Sequence, residues 1–158
     1  MNETRQWVDE SMALERLQAE NAQTRLKRST EYLQLGQFGP ALTELNSALA
    51  LEPENSSVLT RRGDAHRMRG DYAAAVADYG AALQLDPRCV LLHVNRGLAH
   101  SLNGQPEAAI ADFTTALGLD PGNMAALNGR GNALAAVGRH DAAIADYTEA
   151  LRRDPSYA

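Results

Sequence analysis

Small and apolar positions recur along this chain at a fixed interval of 34 residues. The interval is clearest in the stretch 70–87, which begins with a glycine, continues through alanines and a bulky residue, and closes on a proline. The recurring glycines are Gly36, Gly70, Gly104 and Gly138, and the recurring prolines are Pro53, Pro87, Pro121 and Pro155. A period of about 20 to 50 residues is typical of solenoids, whose units bury their apolar faces against their neighbours.

This pattern predicts two helices in each repeat, separated by a short turn. The glycine lies where the first helix must end, and it accepts the left-handed backbone conformation found at helix ends. The pair Asp86-Pro87 and its equivalents end the second helix, because the residue before a proline avoids the helical conformation. Asp71 is expected to cap one second helix and Pro106 to occupy the first turn of another.

With the proline at position 32 of each unit, the chain contains four tandem repeats, 22–55, 56–89, 90–123 and 124–157. Position 20 is Ala41, Ala75, Ala109 and Ala143; position 24 is Leu45, Tyr79, Phe113 and Tyr147; position 27 is Ala48, Ala82, Ala116 and Ala150; position 8 is Ser29, Gly63, Gly97 and Gly131. In this frame the chain resembles the tetratricopeptide repeat family. The resemblance implies an all-α, right-handed superhelical solenoid of helix-turn-helix repeats, with these residues in its core.

Position 7 departs from the family, which has leucine there. Arginine occupies it in every repeat and an acid occupies position 23, as Arg28 with Glu44, Arg62 with Asp78, Arg96 with Asp112 and Arg130 with Asp146. Because a guanidinium can hold a carboxylate with two hydrogen bonds, this favours a structural pair between the helices. Pairing within each repeat would close all four pairs, whereas pairing with the preceding repeat would leave Arg28 and Asp146 unpaired. A basic line for an acidic ligand is the alternative.

Residues 1–21 precede the repeats and contain no glycine or proline, so an unbroken helix from about Thr4 to Leu35 is compatible with the sequence. Its apolar residues before the repeats include Trp7, Val8, Met12, Leu14 and Leu17. We predict that this N-terminal helix caps the first repeat. A docking helix anchored by Trp7 is the alternative.

The last predicted helix, about Asp141 to Arg152, carries Ile144, Tyr147 and Leu151 at helical spacing. These residues predict an apolar stripe at the C-terminal edge of the array. We expect this edge or the Trp7 helix to support self-association or assembly with another chain. Coverage of the edge by further residues of a longer protein is an alternative. In another alternative, Tyr147 and Leu151 pack inward against their own repeat.

Composition narrows the class of protein. The chain is 44% hydrophobic and 22% charged, as globular proteins are, and its net charge of -5 without a basic block argues against nucleic acid as a partner. The absence of a long apolar run or a signal core argues against a membrane. The single cysteine, Cys89, cannot form an internal disulfide, so a reducing compartment, the cytoplasm, is expected.

No motif predicts catalysis. The chain contains no phosphate-binding P-loop, no Gly-x-Ser-x-Gly and no His-Glu-x-x-His. Its histidines, which occupy positions where the family has aromatic packing residues, are His66, His93, His100 and His140. We interpret them as packing rings and not as metal ligands. We therefore expect no enzyme, no cofactor and no metal site.

The resemblance implies binding in a concave groove lined by positions 2, 5, 6, 9, 12 and 13 of the first helices. These positions vary from repeat to repeat, whereas the core positions do not. The candidate contacts for a protein or peptide segment are Lys27, Thr30, Thr60, Arg61, Asp64, Arg67, Leu91, Val94, Asn95, Leu98, Asn128 and Asn132. The predicted function is an adaptor or assembly scaffold. The alternative is a structural subunit docked through its N-terminal helix, convex face or C-terminal edge.

Some members of the family hold the C-terminal carboxylate of heat-shock chaperones with lysines and asparagines at set groove positions. On the first three repeats this clamp would need lysine and asparagine where the chain has Leu26 and Thr30. On the last three, Asn95 fits but Thr60 and Asp64 do not. The resemblance is therefore to the family at large.

Overall fold

The computed structural model describes residues 21–155 together with Met12. Every element within these residues is helical, and in chain order they are α1 (21–34), α2 (Phe38–Leu51), α3 (Ser56–Arg69), α4 (Tyr72–Leu85), α5 (Val90–Leu102), α6 (Pro106–Leu119), α7 (Met124–Ala136) and α8 (His140–Arg153). The predicted N-terminal helix over 1–21, with Trp7, lies outside the described residues except for Met12 and Asn21, which are helical.

Consecutive helices pair into the expected repeats. The first helices are α1, α3, α5 and α7, and the second helices are α2, α4, α6 and α8. Among α2 to α8, the second helices α2, α4 and α6 each pack against the first helix of the next repeat. The second helices α4, α6 and α8 also pack against the first helix of their own repeat. The predicted all-α fold of tandem helical repeats is confirmed.

The turn inside each repeat follows the glycine. Gly70 ends α3 in the left-handed conformation with φ of 90°, and the equivalent glycines of the other repeats also have positive φ. The Gly70 N–H donates to the Arg67 carbonyl at 3.1 Å and the Asp71 N–H to the His66 carbonyl at 2.8 Å. The predicted side-chain cap by Asp71 is wrong, because its carboxylate accepts a hydrogen bond from Arg69 Nε at 2.7 Å and none from the helix N–H groups. Pro106 begins α6, as expected.

The two helices of a repeat touch where a ring lies on a glycine. A Cβ atom added to Gly63 would lie 2.7 Å from the ring of Tyr79, and one added to Gly131 would lie 2.6 Å from the ring of Tyr147. Tyr79 and Phe113 are completely buried. The core interpretation of positions 8 and 24 is therefore confirmed, since no side chain larger than hydrogen fits between helix and ring.

The buried residues form two clusters that meet at α5. The first extends from α1 to α5 and includes Leu92 and Ala99, whereas the second extends from α5 to α8 and includes Val94. One helix thus contributes different faces to two cores. The division falls within α5, the first helix of the third repeat.

The arginine of position 7 pairs with the acid of its own repeat. Arg62 Nε and Nη2 donate to the two oxygens of Asp78 at 2.9 and 2.6 Å. The same two-point pairs join Arg96 to Asp112 and Arg130 to Asp146. The three aspartates are only 5 to 6% exposed, so the guanidinium neutralises a buried charge. These hydrogen bonds raise the pKa of each of the three arginines against the opposing effect of burial.

The first repeat has a weaker version of this pair. Arg28 Nη1 donates to Glu44 at 3.4 Å, and Arg25 Nη1 donates to the same carboxylate at 3.0 Å. All four pairs predicted for the within-repeat arrangement are therefore present.

The remaining terminal nitrogen of the arginine points to the preceding repeat. Arg62 Nη1 donates to Asn46 at 2.9 Å, and Arg130 Nη1 donates to Thr114 at 3.3 Å. The equivalent residue facing Arg96 is Gly80, which has no side-chain acceptor. The guanidinium therefore links neighbouring repeats at two of the three junctions.

Asp112 also lies beside two histidines. His93 Nδ1 is 3.4 Å from Asp112 Oδ1, and His93 Nε2 is 2.9 Å from the carbonyl oxygen of Pro87. His100 Nε2 is 3.8 Å from the other oxygen of Asp112. These rings make polar contacts, which the interpretation as packing rings did not include.

We expect Gly63→Ala to destabilise the protein by about 1 to 3 kcal/mol, because the new methyl group would overlap the fixed ring of Tyr79. Chemical denaturation measures the change. Gly118→Ala in α6 is the control, since a Cβ there meets nothing within 4 Å. The control should stabilise the helix by about 0.5 kcal/mol. Equal shifts for the two variants would contradict the close approach of ring and glycine.

We expect Arg130→Met to cost about 3 kcal/mol or more, because Asp146 would remain buried without its cation. Arg130→Lys keeps the charge but loses the two-point geometry, so its loss should be smaller. Urea denaturation of both variants gives the comparison. Two losses below about 0.5 kcal/mol would show that the pair has no structural role.

Candidate binding groove

The first helices lie side by side on one face of the solenoid. Among α2 to α8, α5 contacts α7 directly, whereas no two second helices pack on each other to a similar extent. In the third and fourth repeats the first helices are thus closer together than the second helices, which makes their side the inner one there. We call the surface of α1, α3, α5 and α7 on this side the groove.

A pocket lies between each successive pair of first helices. The α1–α3 pocket, of about 360 Å³, is lined by Gln23, Thr24, Leu26, Lys27, Thr30 and Arg61. The α3–α5 pocket, of about 380 Å³, is lined by Ser56, Ser57, Thr60, Arg61, Asp64, Asp86, Cys89, Leu91, Leu92 and Asn95. The α5–α7 pocket, of about 360 Å³, is lined by Ser101, Gly104, Pro106, Asn132, Ala133 and Ala136.

The three pockets differ in charge. Lys27 and Arg61 converge on the α1–α3 pocket, and no carboxylate stands among its described lining residues. The α3–α5 pocket shares Arg61 but adds two carboxylates, Asp64, which lies 3.9 Å from Arg61 Nη1, and Asp86. The α5–α7 pocket has no charged residue in its described lining. Along the chain the described linings therefore change from basic, through one of mixed charge, to one without charge.

Two predicted groove residues also hold the core tyrosines. The hydroxyl of Tyr79 donates to Asp64 Oδ1 at 2.7 Å, and that of Tyr147 donates to Asn132 Oδ1 at 2.7 Å. Burial raises the pKa of Tyr79, and the hydrogen bond to Asp64 raises it further. In the third repeat, Phe113 has no hydroxyl and the equivalent groove residue is Leu98. In the last three repeats, position 9 of the groove thus carries a hydrogen-bond acceptor where position 24 of the core is tyrosine, and an apolar side chain where position 24 is phenylalanine.

The other predicted groove residues fall into two groups. Lys27, Thr30, Thr60, Arg61, Leu91 and Asn95 line pockets, as do Asp64 and Asn132. Arg67 lies beside Tyr79, and Leu98 is partly buried against the second core cluster. Val94 is only 5% exposed and belongs to the core, so we correct its assignment as a groove contact. Asn128 Nδ2 is buried and has no hydrogen-bond partner in the described part of the chain.

Large apolar side chains are exposed on the groove. Met68, Leu91 and Leu102 are 50%, 60% and 52% exposed, although all belong to first helices whose other apolar residues are mostly buried. Leu91 was among the predicted contacts. Met68 and Leu102 occupy position 13, one of the implied groove positions, but were not among the candidate contacts.

The described residues contain no group of three or more His, Cys, Asp or Glu side chains arranged to hold a metal ion. Across the same residues, no helix combines the length and apolar character needed to cross a membrane.

The family assignment follows from this geometry and from a family model. The model described as tetratricopeptide repeat matches residues 26–88, 60–123 and 94–158 in overlapping segments. The chain therefore belongs to the tetratricopeptide repeat family.

Solved structures of MamA are similar to this chain. One has a TM-score of 0.81 at 23% identity and covers 85% of this chain and 79% of its own. MamA 41-end from Desulfovibrio magneticus RS-1 has a TM-score of 0.81 at 20% identity, with 86% and 77% covered. At this identity the likeness concerns the fold. A comparison with curated protein sequences finds no match.

We expect Asp64→Leu to destabilise the protein by about 1 to 3 kcal/mol, because the buried hydroxyl of Tyr79 would lose its acceptor. Adding Tyr79→Phe creates the combination found naturally in the third repeat and should recover most of the loss. Denaturation of both single variants and the double variant forms a double-mutant cycle. Additive losses would show that the two side chains are not coupled.

Proposed function

We propose that this protein is a non-catalytic adaptor or assembly module that binds a segment of a partner protein in its groove. The observation that carries the proposal is the exposure of Met68, Leu91 and Leu102 on the same face as the three pockets. Exposed apolar side chains interspersed with polar groups are typical of a surface that binds another chain. The proposed setting is the cytoplasm, because a single cysteine fits a reducing compartment.

The charges of the groove define the chemistry of the segment. Lys27 and Arg61 face one pocket without a carboxylate among its described residues, so an acidic group of the segment is the natural occupant there. Leu91 offers an apolar contact in the next pocket, and Asn95 can pair with a peptide backbone. The proposed ligand is therefore an acidic and apolar segment that lies across α1, α3 and α5.

A random peptide library displayed on phage tests this proposal. Selection on the intact chain should enrich sequences that combine Asp or Glu with an apolar residue. Peptides selected in this way should bind Lys27→Glu or Arg61→Glu at least about tenfold more weakly, because each variant places like charges together.

Arg88→Glu is the matched control, because Arg88 is exposed in the turn between the second and third repeats and lines none of the three pockets. It makes the same change in net charge and should leave binding unchanged. Equal losses in the groove and control variants would mean that net charge drives binding, which would contradict a groove site. Binding that survives the groove variants but fails on deletion of residues 1–21 would favour docking through the N-terminal segment.

A further inference from the structure

The outer side of α8 exposes apolar residues that the other repeats cover. Leu151 is 44% exposed, whereas the leucines at the same position of the other repeats, Leu49, Leu83 and Leu117, are at most 9% exposed. Ile144 is 60% exposed, whereas Leu42 at the equivalent position of the first repeat is 6% exposed. Tyr147 is partly exposed, with its hydroxyl held by Asn132. We call Ile144, Tyr147 and Leu151 the C-terminal edge.

The opposite end of the solenoid is not complementary to this edge. Arg62 faces the preceding repeat, and Val58 and Ala65 on the same side of α3 are completely buried. The residues of α1 at these positions are Thr24 and Glu31, and both are exposed. Stacking α1 of a second copy on the C-terminal edge would bury the charge of Glu31 against apolar side chains, which is costly.

We propose that the C-terminal edge binds the same edge of a second copy, with the two α8 helices antiparallel about a two-fold axis. Ile144 and Leu151 are about two helical turns apart and lie on one line along α8. Reversal of the second helix sets Ile144 of one copy against Leu151 of the other, and the two-fold axis repeats this contact. The apolar stripe is therefore complementary to itself.

The charges of α8 are self-complementary in the same orientation. Asp141 lies in the first turn and Arg152 in the last, about three turns apart, so both lie on the same flank of the stripe. A two-fold antiparallel pair brings Asp141 of each copy beside Arg152 of the other, whereas a two-fold parallel pair would place the charged flanks on opposite sides of the interface. The Arg152 side chain is 67% exposed, and its Nε and Nη2 donate to Glu149 on its own helix, which leaves Nη1 for a carboxylate of a second copy.

Sedimentation from about 5 to 500 µM protein tests the dimer, because an interface of one helix pair is small and its association should be weak and reversible. The intact chain should show a monomer–dimer equilibrium. Ile144→Ser with Leu151→Ser should weaken it at least about tenfold. Leu35→Ser is the control, since Leu35 is 70% exposed at the other end of the repeats and should have no effect. Circular dichroism establishes that each variant is folded.

Charge exchange tests the antiparallel orientation. Asp141→Lys and Arg152→Glu should each weaken the homodimer, because each brings like charges together. An equimolar mixture of the two variants should form a heterodimer, because both contacts then join opposite charges.

A monomer at every concentration, or a dimer that is lost with Leu35→Ser and kept without Ile144 and Leu151, would overturn the proposal. A mixture that does not associate better than its components would also overturn it. Peptide binding in the groove is measured separately, and Lys27→Glu should leave the dimer intact. Failure of either proposal is thus distinguishable from failure of the other.

Discussion

The buried pair of arginine and aspartate determines how the helices of this solenoid are held together. Two nitrogens of one guanidinium donate hydrogen bonds to the carboxylate of its own repeat, as in Arg62 with Asp78, and the third nitrogen donates to a side chain of the preceding repeat. A leucine at this position could pack against the neighbouring helix, but it could not fix the relative orientation of the two helices through directional hydrogen bonds. The charge pair therefore contributes specificity to an interface whose other contacts are mostly apolar, and it requires an acid at position 23 wherever the arginine is present.

The close contact between the glycine backbone at position 8 and the aromatic ring at position 24 is the second constraint. It also affects which residues occupy the groove. Position 8 is glycine where position 24 is aromatic, and serine where position 24 is the smaller Leu45. In the second and fourth repeats the ring also carries a hydroxyl, which requires an acceptor at position 9. Asp64 and Asn132 therefore serve the core, while their remaining atoms face the groove. The proposed groove and the internal packing share these two residues.

The period predicted the helices, the turns and the acid–arginine pairs because each depends on residue type at a fixed place in the repeat. The sequence could not show whether each arginine pairs with the acid of its own repeat or with that of the preceding repeat. The acid recurs as regularly as the arginine, so both pairings satisfy the interior repeats. Asp71 was misjudged because Arg69, two residues earlier, competes for its carboxylate. The burial of Val94, and the position of Asp64 as both a groove residue and a partner of the Tyr79 hydroxyl, depend on contacts between helices. Such contacts cannot be read from the repeat period of the sequence.

The acceptor missing at Gly80 has a consequence for folding cooperativity. In a linear array each repeat is coupled to the others only through its junctions, so the junction with the fewest links limits how cooperatively the two halves unfold. The link from Arg96 lacks a side-chain acceptor at the junction that leads into α5, and within α5 the buried residues divide into two clusters. Partly unfolded states with one half intact should therefore form there before they form elsewhere, and amide hydrogen exchange would report them as two protection levels that change at α5.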